Sequence, residues 1–245
     1  MEASEQRLSE PDARFALPYF PISFSWWQRY THEPDTDHTV LSVVVGSRAQ
    51  GLDTAASDTD RRGVYAAPTS SFWRLDKPPT HLDGPLPEQF SWEIERFVSL
   101  ALTCDPTVIE CLWSPIVERV TPIGAELREL RPAFLSRRAR KSFLEYADTL
   151  RKRIDPESPK WKSAMHMIRL LLSGRHLALH GEPLVHVGGH RDRLLAIRRG
   201  EIPWPEVQAW RARLIADLDE APDGLPADPD RAAVEDFLIA VRKTN

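Results

Sequence analysis

Hydrophobic and polar residues alternate in different ways along the chain, and these patterns predict its elements. Residues 39–45 form an almost unbroken run of apolar and β-branched side chains, which is typical of a buried strand. A helix or turn is predicted next over 48–56, and then a second strand over 63–67 that Pro68 ends. Residues 68–87 are rich in Pro, Ser and Asp and predict a long loop with at most one short strand.

From Ser91 onward the apolar residues recur at helical spacing, and beyond Pro115 every periodic segment predicts a helix. We therefore expect an α+β fold, in which a domain with a small mixed β-sheet over 18–115 is followed by an α-helical domain over 116–245, and residues 1–17 form a polar leader. The predicted helices of the second domain cover residues 122–130, 136–154, 161–180, 192–199, 205–218 and 231–243.

Composition excludes several classes of protein. The chain has 245 residues and a formal net charge of −4, so it has no overall basic coat for nucleic acid. Its longest apolar runs, such as residues 170–172, are too short to cross a bilayer, and its acidic start does not resemble a secretory signal. Because only two cysteines are present, no disulfide framework is expected, and a reducing cytoplasmic location is predicted.

The charge is distributed unevenly. Residues 1–115 carry 9 basic and 17 acidic side chains, whereas residues 119–175 carry 14 basic and 6 acidic ones. Such an arrangement suits an enzyme that holds a divalent metal on one side and phosphate groups on the other. The alternative is that these Arg and Lys residues only form exposed helix surface.

The chemically most informative residues follow the first predicted strand. Gly46 and Ser47 form a turn at its end, and Asp58 and Asp60 precede the second strand. If both aspartates open that strand, their carboxylates point to the same side. Two such charges repel each other unless a cation lies between them, and Mg²⁺ prefers carboxylate and phosphate oxygens. Taken alone, a pair of this kind is more often found at a turn or a helix cap.

The segments Gly46-Ser-Arg-Ala-Gln-Gly51 and Ser57-Asp-Thr-Asp-Arg-Arg-Gly-Val-Tyr65 together resemble the signature of the DNA polymerase β-like nucleotidyltransferase superfamily. More narrowly, the chain is similar to a predicted nucleotidyltransferase family that is associated with RNA repair operons. The similarity continues through Trp92-Glu-Ile-Glu-Arg-Phe97, Asp105-Pro-Thr-Val-Ile-Glu-Cys-Leu-Trp-Ser-Pro115 and Lys162-Ser-Ala-Met-His-Met-Ile-Arg-Leu-Leu171, and it covers roughly residues 40–200.

This resemblance implies a nucleotidyltransferase domain and an enzyme that transfers a nucleoside monophosphate from an NTP, releasing pyrophosphate. It also implies two Mg²⁺ or Mn²⁺ ions held by Asp58, Asp60 and a third carboxylate, with Gly46 and Ser47 receiving the triphosphate. The third carboxylate is expected at Glu88, where the family has Asp. Glu93 is the alternative, although it begins a helix, where an acidic residue can serve only to stabilise the helix N-terminus; a site with neither glutamate also stays open.

Several arginines next to these motifs are further candidates. Arg48 either contacts phosphate or caps the helix that follows the turn. Arg61 and Arg62 are expected to point to opposite sides of their strand. Asp105 is expected to cap the helix that follows it.

One predicted helix presents a basic stripe. Lys162, His166 and Arg169 lie at i, i+4 and i+7, within about 60° of one another on a helical wheel. With the resemblance, we expect this stripe to bind the triphosphate opposite the carboxylates. The alternative is an exposed helix face with a satisfied histidine.

The predicted activity is metal-dependent nucleotidyl transfer from an NTP, with ATP expected, to an acceptor that is expected to be RNA. The net positive segment over 119–175 favours RNA. Two alternatives remain open: transfer of NMP to a hydroxyl of a protein or small molecule, and a non-catalytic nucleotide-binding module. Neither a membrane nor a partner protein is predicted.

Overall fold

The strands form one mixed sheet whose spatial order differs from the chain order. In the computed structural model, the residues described are 38–84, 86, 88–222 and 224–245. Their strands are β1 (Thr39–Val44), β2 (Arg61–Tyr65), β3 (His81–Asp83), β4 (Gln89–Glu93) and β5 (Val117–Val120). The order across the sheet is β3-β4-β2-β1-β5. β2 and β4 are parallel, and the other neighbours are antiparallel.

Most of the helices follow the sheet in the chain, and α6 is central among them. Within the described residues the α-helices are α1 (Gly46–Gln50), α2 (Ile94–Ala101), α3 (Pro106–Leu112), α4 (Pro122–Glu129), α5 (Arg138–Lys152), α6 (Trp161–His180), α7 (Arg191–Arg198), α8 (Trp204–Glu220) and α9 (Arg231–Thr244). α6 packs against α5, α7 and α8, and most of its side chains are buried. The boundaries of α6 are those expected from the sequence.

The α+β fold predicted from the sequence is confirmed, as is the cap at Asp105, whose side chain accepts from the backbone N–H groups of Thr107 and Val108. The expectation of helix alone beyond Pro115 is wrong, because β5 pairs with β1 in the sheet. β5 carries Val-Glu-Arg-Val and is largely exposed at the sheet edge, so it lacks the apolar run of a central strand.

The sheet and the helices share one hydrophobic core. It joins Val43 of β1, Val64 of β2, Phe97 of α2 and Ile168 of α6, all at most 2% exposed. Residues 38–245 form one compact unit, so the predicted boundary near residue 115 stays a prediction. The predicted leader over 1–17 lies outside the described residues.

Both cysteines lie inside this core. Cys104 and Cys111 are free thiols at most 1% exposed. Burial raises the pKa of the Cys111 thiol to about 12 and also raises the pKa of Cys104. Neither thiol is therefore a candidate nucleophile. In the part of the chain that the structure describes, no helix has both the length and the apolar character needed to cross a bilayer.

Candidate functional site

Three predicted site segments meet at one edge of the sheet. Because β2 and β4 are parallel, both begin at this edge, and β1, antiparallel to β2, ends there. Backbone hydrogen bonds fix the contact: the N–H of Val45 donates to the carbonyl oxygen of Asp60 at 2.9 Å, and the N–H of Arg61 donates to that of Glu88 at 2.9 Å. The turn at Gly46, the acidic segment and Glu88 are therefore neighbours.

Gly46 is required at the turn by both its conformation and its surroundings. Its φ of +65° lies in the left-handed region, which L side chains rarely adopt. A Cβ atom built on Gly46 would lie 2.3 Å from Oδ2 of Asp60. The carboxylate of Asp60 therefore packs directly on the glycine backbone.

The expectation that Asp58 and Asp60 open the second strand is wrong, because both residues lie in the segment before β2. Strand alternation therefore does not set the direction of their side chains. Arg48 holds this segment instead: its Nε donates to the carbonyl oxygen of Asp58 at 3.0 Å, and its guanidinium also donates to that of Ser57 at 2.7 Å. The structure thus gives Arg48 a positioning contact with the acidic segment.

The carboxylates of Asp58, Asp60 and Glu88 have no hydrogen-bond donor or ion-pair partner among the residues that the structure describes. Asp58 and Glu88 are exposed and Asp60 is half-buried. Unneutralised carboxylate oxygens at one edge are the donor type that Mg²⁺ and Mn²⁺ prefer, so their chemistry fits a hard divalent cation. Across 38–84, 86, 88–222 and 224–245, however, no three His, Cys, Asp or Glu side chains are grouped closely enough to share an ion.

The two candidates for the third carboxylate lie at opposite ends of β4. Glu88 directly precedes the strand beside Asp60, and it has a φ of +56°, which is uncommon outside glycine. Glu93 ends the strand, five residues and roughly 16 Å away along an extended chain. Its carboxylate is buried, accepts from the N–H of Glu95 and pairs with Arg242 at 2.8 Å. The placement favours Glu88 of the two.

The residues of the basic stripe on α6 differ in how deeply they are buried. Lys162 is exposed at the start of the helix, whereas Arg169 is 1% exposed. The guanidinium of Arg169 donates to Oε1 of Glu110 on α3 at 2.7 Å, and the hydroxyl of Ser173 donates to the same oxygen. Because its charge is already balanced inside the protein, this placement argues against direct contact of Arg169 with a triphosphate.

His166 lies between these two residues and is half-buried. Burial, together with the charges of Arg169 and Lys162, lowers its pKa to about 3. Its ring packs edge-on against Tyr146 of α5, with 6.3 Å between centroids. His166 is therefore neutral near pH 7 and presents no positive charge to a phosphate.

Arg61 and Arg62 lie on opposite sides of β2, as the strand alternation predicts. Arg61 forms an ion pair with Glu118 of β5 at 2.7 Å. The guanidinium of Arg62 lies 6.0 Å from the ring centroid of Phe90, the residue beside it on β4.

A model of the RNA repair pathway DNA polymerase beta family, RlaP, matches residues 28–239, which is most of the chain. The chain belongs to the RlaP family. No curated protein matches it. Membership agrees with the resemblance carried by the Gly46 and Asp58 segments, and the family description implies a polymerase β-like nucleotidyltransferase of RNA repair.

Two further contacts of the RlaP chain were not predicted. Glu110 neutralises Arg169 from 59 positions away, and Arg191 of α7 donates to the carbonyl oxygens of Gly51 and Asp53. No local pattern could reveal either contact, because each joins elements that are distant in sequence. The one signal is the position of Arg169 in the otherwise apolar run 167–172, because an arginine buried there requires an acidic partner somewhere in the fold.

Proposed function

We propose that the chain is a metal-dependent nucleotidyltransferase that moves a nucleoside monophosphate from an NTP, ATP in the first instance, to an RNA acceptor. Membership of the RlaP family supports the reaction class. One observation carries the proposal. Asp58, Asp60 and Glu88 lie beside the Gly46 turn, and their carboxylates have no hydrogen-bond donor or ion-pair partner among the described residues.

In this proposal the three carboxylates would hold two Mg²⁺ or Mn²⁺ ions. When bound, such ions stabilise the attacking and leaving oxygens of an in-line displacement at phosphorus. Asp60 is held against Gly46, and Arg48 fixes the backbone before Asp58. The first contact sets the position of the Asp60 carboxylate and the second fixes the backbone at Asp58, which supports these two residues acting on one substrate.

Lys162 is the member of the α6 stripe that we assign to the triphosphate. Its ammonium is exposed and has no ion-pair partner in the described ranges. The hydroxyl of Ser47, in the turn, would donate a hydrogen bond to the phosphates. Neutral His166 can add at most a hydrogen bond, so most of the phosphate charge would be balanced by Lys162 and the metal ions.

The excess of basic residues over 119–175 supports RNA as the acceptor. Part of this charge is already paired: Arg140 contacts Asp219, and Lys141 contacts Glu145. Surface pairs of this type are weak and exchange readily for phosphate partners. A polyanionic acceptor would make transfer fall steeply as the salt concentration rises.

The test is to incubate the purified chain with each NTP labelled on its α-phosphate, with Mg²⁺ or Mn²⁺, and with total RNA or cell lysate. Label is expected on RNA, in the presence of metal, and pyrophosphate is expected to accumulate with it. Asp58→Asn and Asp60→Asn are expected to abolish both products. Asp236→Asn, an exposed aspartate on α9, is the matched control and should transfer normally.

Label on protein or on a small molecule alone would contradict the RNA acceptor but keep the transferase. Metal-independent labelling, or full activity of Asp60→Asn, would contradict the proposed site. Binding of NTP without any transfer to RNA, protein or small molecules would instead indicate the non-catalytic module.

A further inference from the structure

Four consecutive carbonyl oxygens, those of residues 50–53, accept hydrogen bonds from one distant segment, residues 187–198. The first belongs to Gln50, the last residue of the short helix α1, and the other three directly follow that helix. The donors are the N–H of Val187 to Gln50 at 3.0 Å, Arg191 to Gly51 and, at 2.9 Å, to Asp53, and Arg198 to Leu52 at 3.4 Å.

The contact is close as well as extensive. Gly51 has a φ of +67°, and a Cβ atom on it would lie 2.4 Å from Nε2 of His186. Leu52 is fully buried in the core, so residues 51–53 cannot shift without losing its apolar contacts. Arg191 contributes two of the four hydrogen bonds through one guanidinium.

The segment that is held in this way leads directly to the carboxylates. After Asp53, the chain makes a turn that two hydrogen bonds close. The N–H of Ser57 donates to the carbonyl oxygen of Thr54 at 2.9 Å, and the N–H of Thr54 donates to the hydroxyl oxygen of Ser57 at 2.9 Å. Arg48 of α1 then contacts the carbonyl oxygens of Ser57 and Asp58. Three successive sets of hydrogen bonds, connected by the chain between them, therefore link α7 to the acidic segment.

We propose that Arg191 is a positioning residue that aligns the Gly46 turn and the Asp58–Asp60 segment from the helical region. The effect of Arg191 on catalysis rests on the proposed function, whereas its effect on the stability of residues 46–60 does not. Without Arg191, the carbonyl groups of Gly51 and Asp53 exchange to water, and the segment over 46–60 opens more often. The carboxylates then spend less time in the arrangement that supports transfer.

The test compares Arg191→Ala with Arg199→Ala, a matched control on the same helical segment whose guanidinium contacts only Glu201 among the described residues. Amide hydrogen exchange of peptides covering 46–60 is measured without NTP or metal. Arg191→Ala is expected to speed this exchange about tenfold, with peptides of α5 unchanged. Arg191→Lys, which keeps the charge but lacks the two-pronged donor, should be intermediate.

In transfer assays, Arg191→Ala is expected to lower kcat about tenfold while the KM for NTP changes less than about threefold. Unchanged exchange over 46–60 would overturn the positioning role, whether or not the chain transfers nucleotides. Faster exchange with wild-type kcat would overturn its catalytic consequence. If the wild-type chain transfers nothing, the proposed function fails, and exchange alone still decides whether Arg191 holds the segment.

Discussion

Replacing Gly46 by Ala tests the geometry of the candidate site most directly. The new methyl group meets two separate obstacles. A left-handed φ of +65° costs an alanine about 1–2 kcal/mol. In addition, Cβ would lie 2.3 Å from Oδ2 of Asp60, where ordinary contacts begin near 3.4 Å.

The second obstacle acts on the carboxylate, because the backbone at Gly46 is fixed by β1 and α1. To restore an ordinary contact, Oδ2 must retreat by roughly 1 Å. A displacement of this size in a catalytic group lowers a rate by about 100-fold. We therefore expect Gly46→Ala to lose about 2 kcal/mol of stability and about 100-fold in kcat for NMP transfer.

Gly181→Ala is the matched control. This glycine ends α6 with a φ of +73°, and a Cβ atom there would meet nothing within 4 Å. It should lose the conformational 1–2 kcal/mol alone, by urea denaturation, and keep its activity. The double variant Gly46→Ala, Asp60→Ala should recover the stability lost to the clash. Wild-type transfer by Gly46→Ala, or an equal loss of transfer by Gly181→Ala, would refute the reasoning.

Four further predictions concern three glutamates and His166. Glu110→Gln removes the counter-charge of buried Arg169 and is expected to cost about 3 kcal/mol in urea denaturation. Glu88→Asn, which tolerates a positive φ, should keep full stability and lower transfer by at least about 100-fold. Glu93→Gln should instead lose about 1–2 kcal/mol and keep transfer, because it weakens the pair with Arg242. For His166, the folded pKa of about 3 lies below the unfolded value of about 6.5, so the unfolded chain binds an extra proton as the pH falls below 6.5. Between pH 7 and pH 5 the wild-type chain should therefore lose about 2 kcal/mol more than His166→Gln.

Each of these predictions has an outcome that contradicts it. A neutral effect of Glu110→Gln would mean that water reaches the buried pair. Transfer that survives in Glu88→Asn but not in Glu93→Gln would reverse the assignment of the third carboxylate. If wild type and His166→Gln respond equally to pH, His166 is not held neutral by burial.

The strands show what a local pattern can reveal. β1 was predictable because all its residues are buried, so the sequence is apolar without interruption. β4 was missed because its Gln-Phe-Ser-Trp-Glu alternation passes without a break into the apolar period of α2. β5 was missed because an exposed edge strand needs few apolar residues.

The candidate site shows the same limit. The Gly46 and Asp58 motifs identify the family, and the contact of Gly46 with Asp60 explains why a glycine stands there. The sequence could not predict that Lys162 is exposed whereas Arg169 is buried, since the burial of Arg169 depends on Glu110 from a different helix. Helical spacing puts the two cations on one stripe but does not determine how deeply each of them is buried.

The burial of both thiols makes the chain a convenient host for site-specific probes. Maleimides react with thiolates, and neither Cys104 nor Cys111 offers one to solvent near neutral pH. A single cysteine introduced at an exposed surface position would therefore be the sole rapidly alkylated group of the folded chain. A fluorophore attached in this way could report RNA binding without prior removal of the native cysteines.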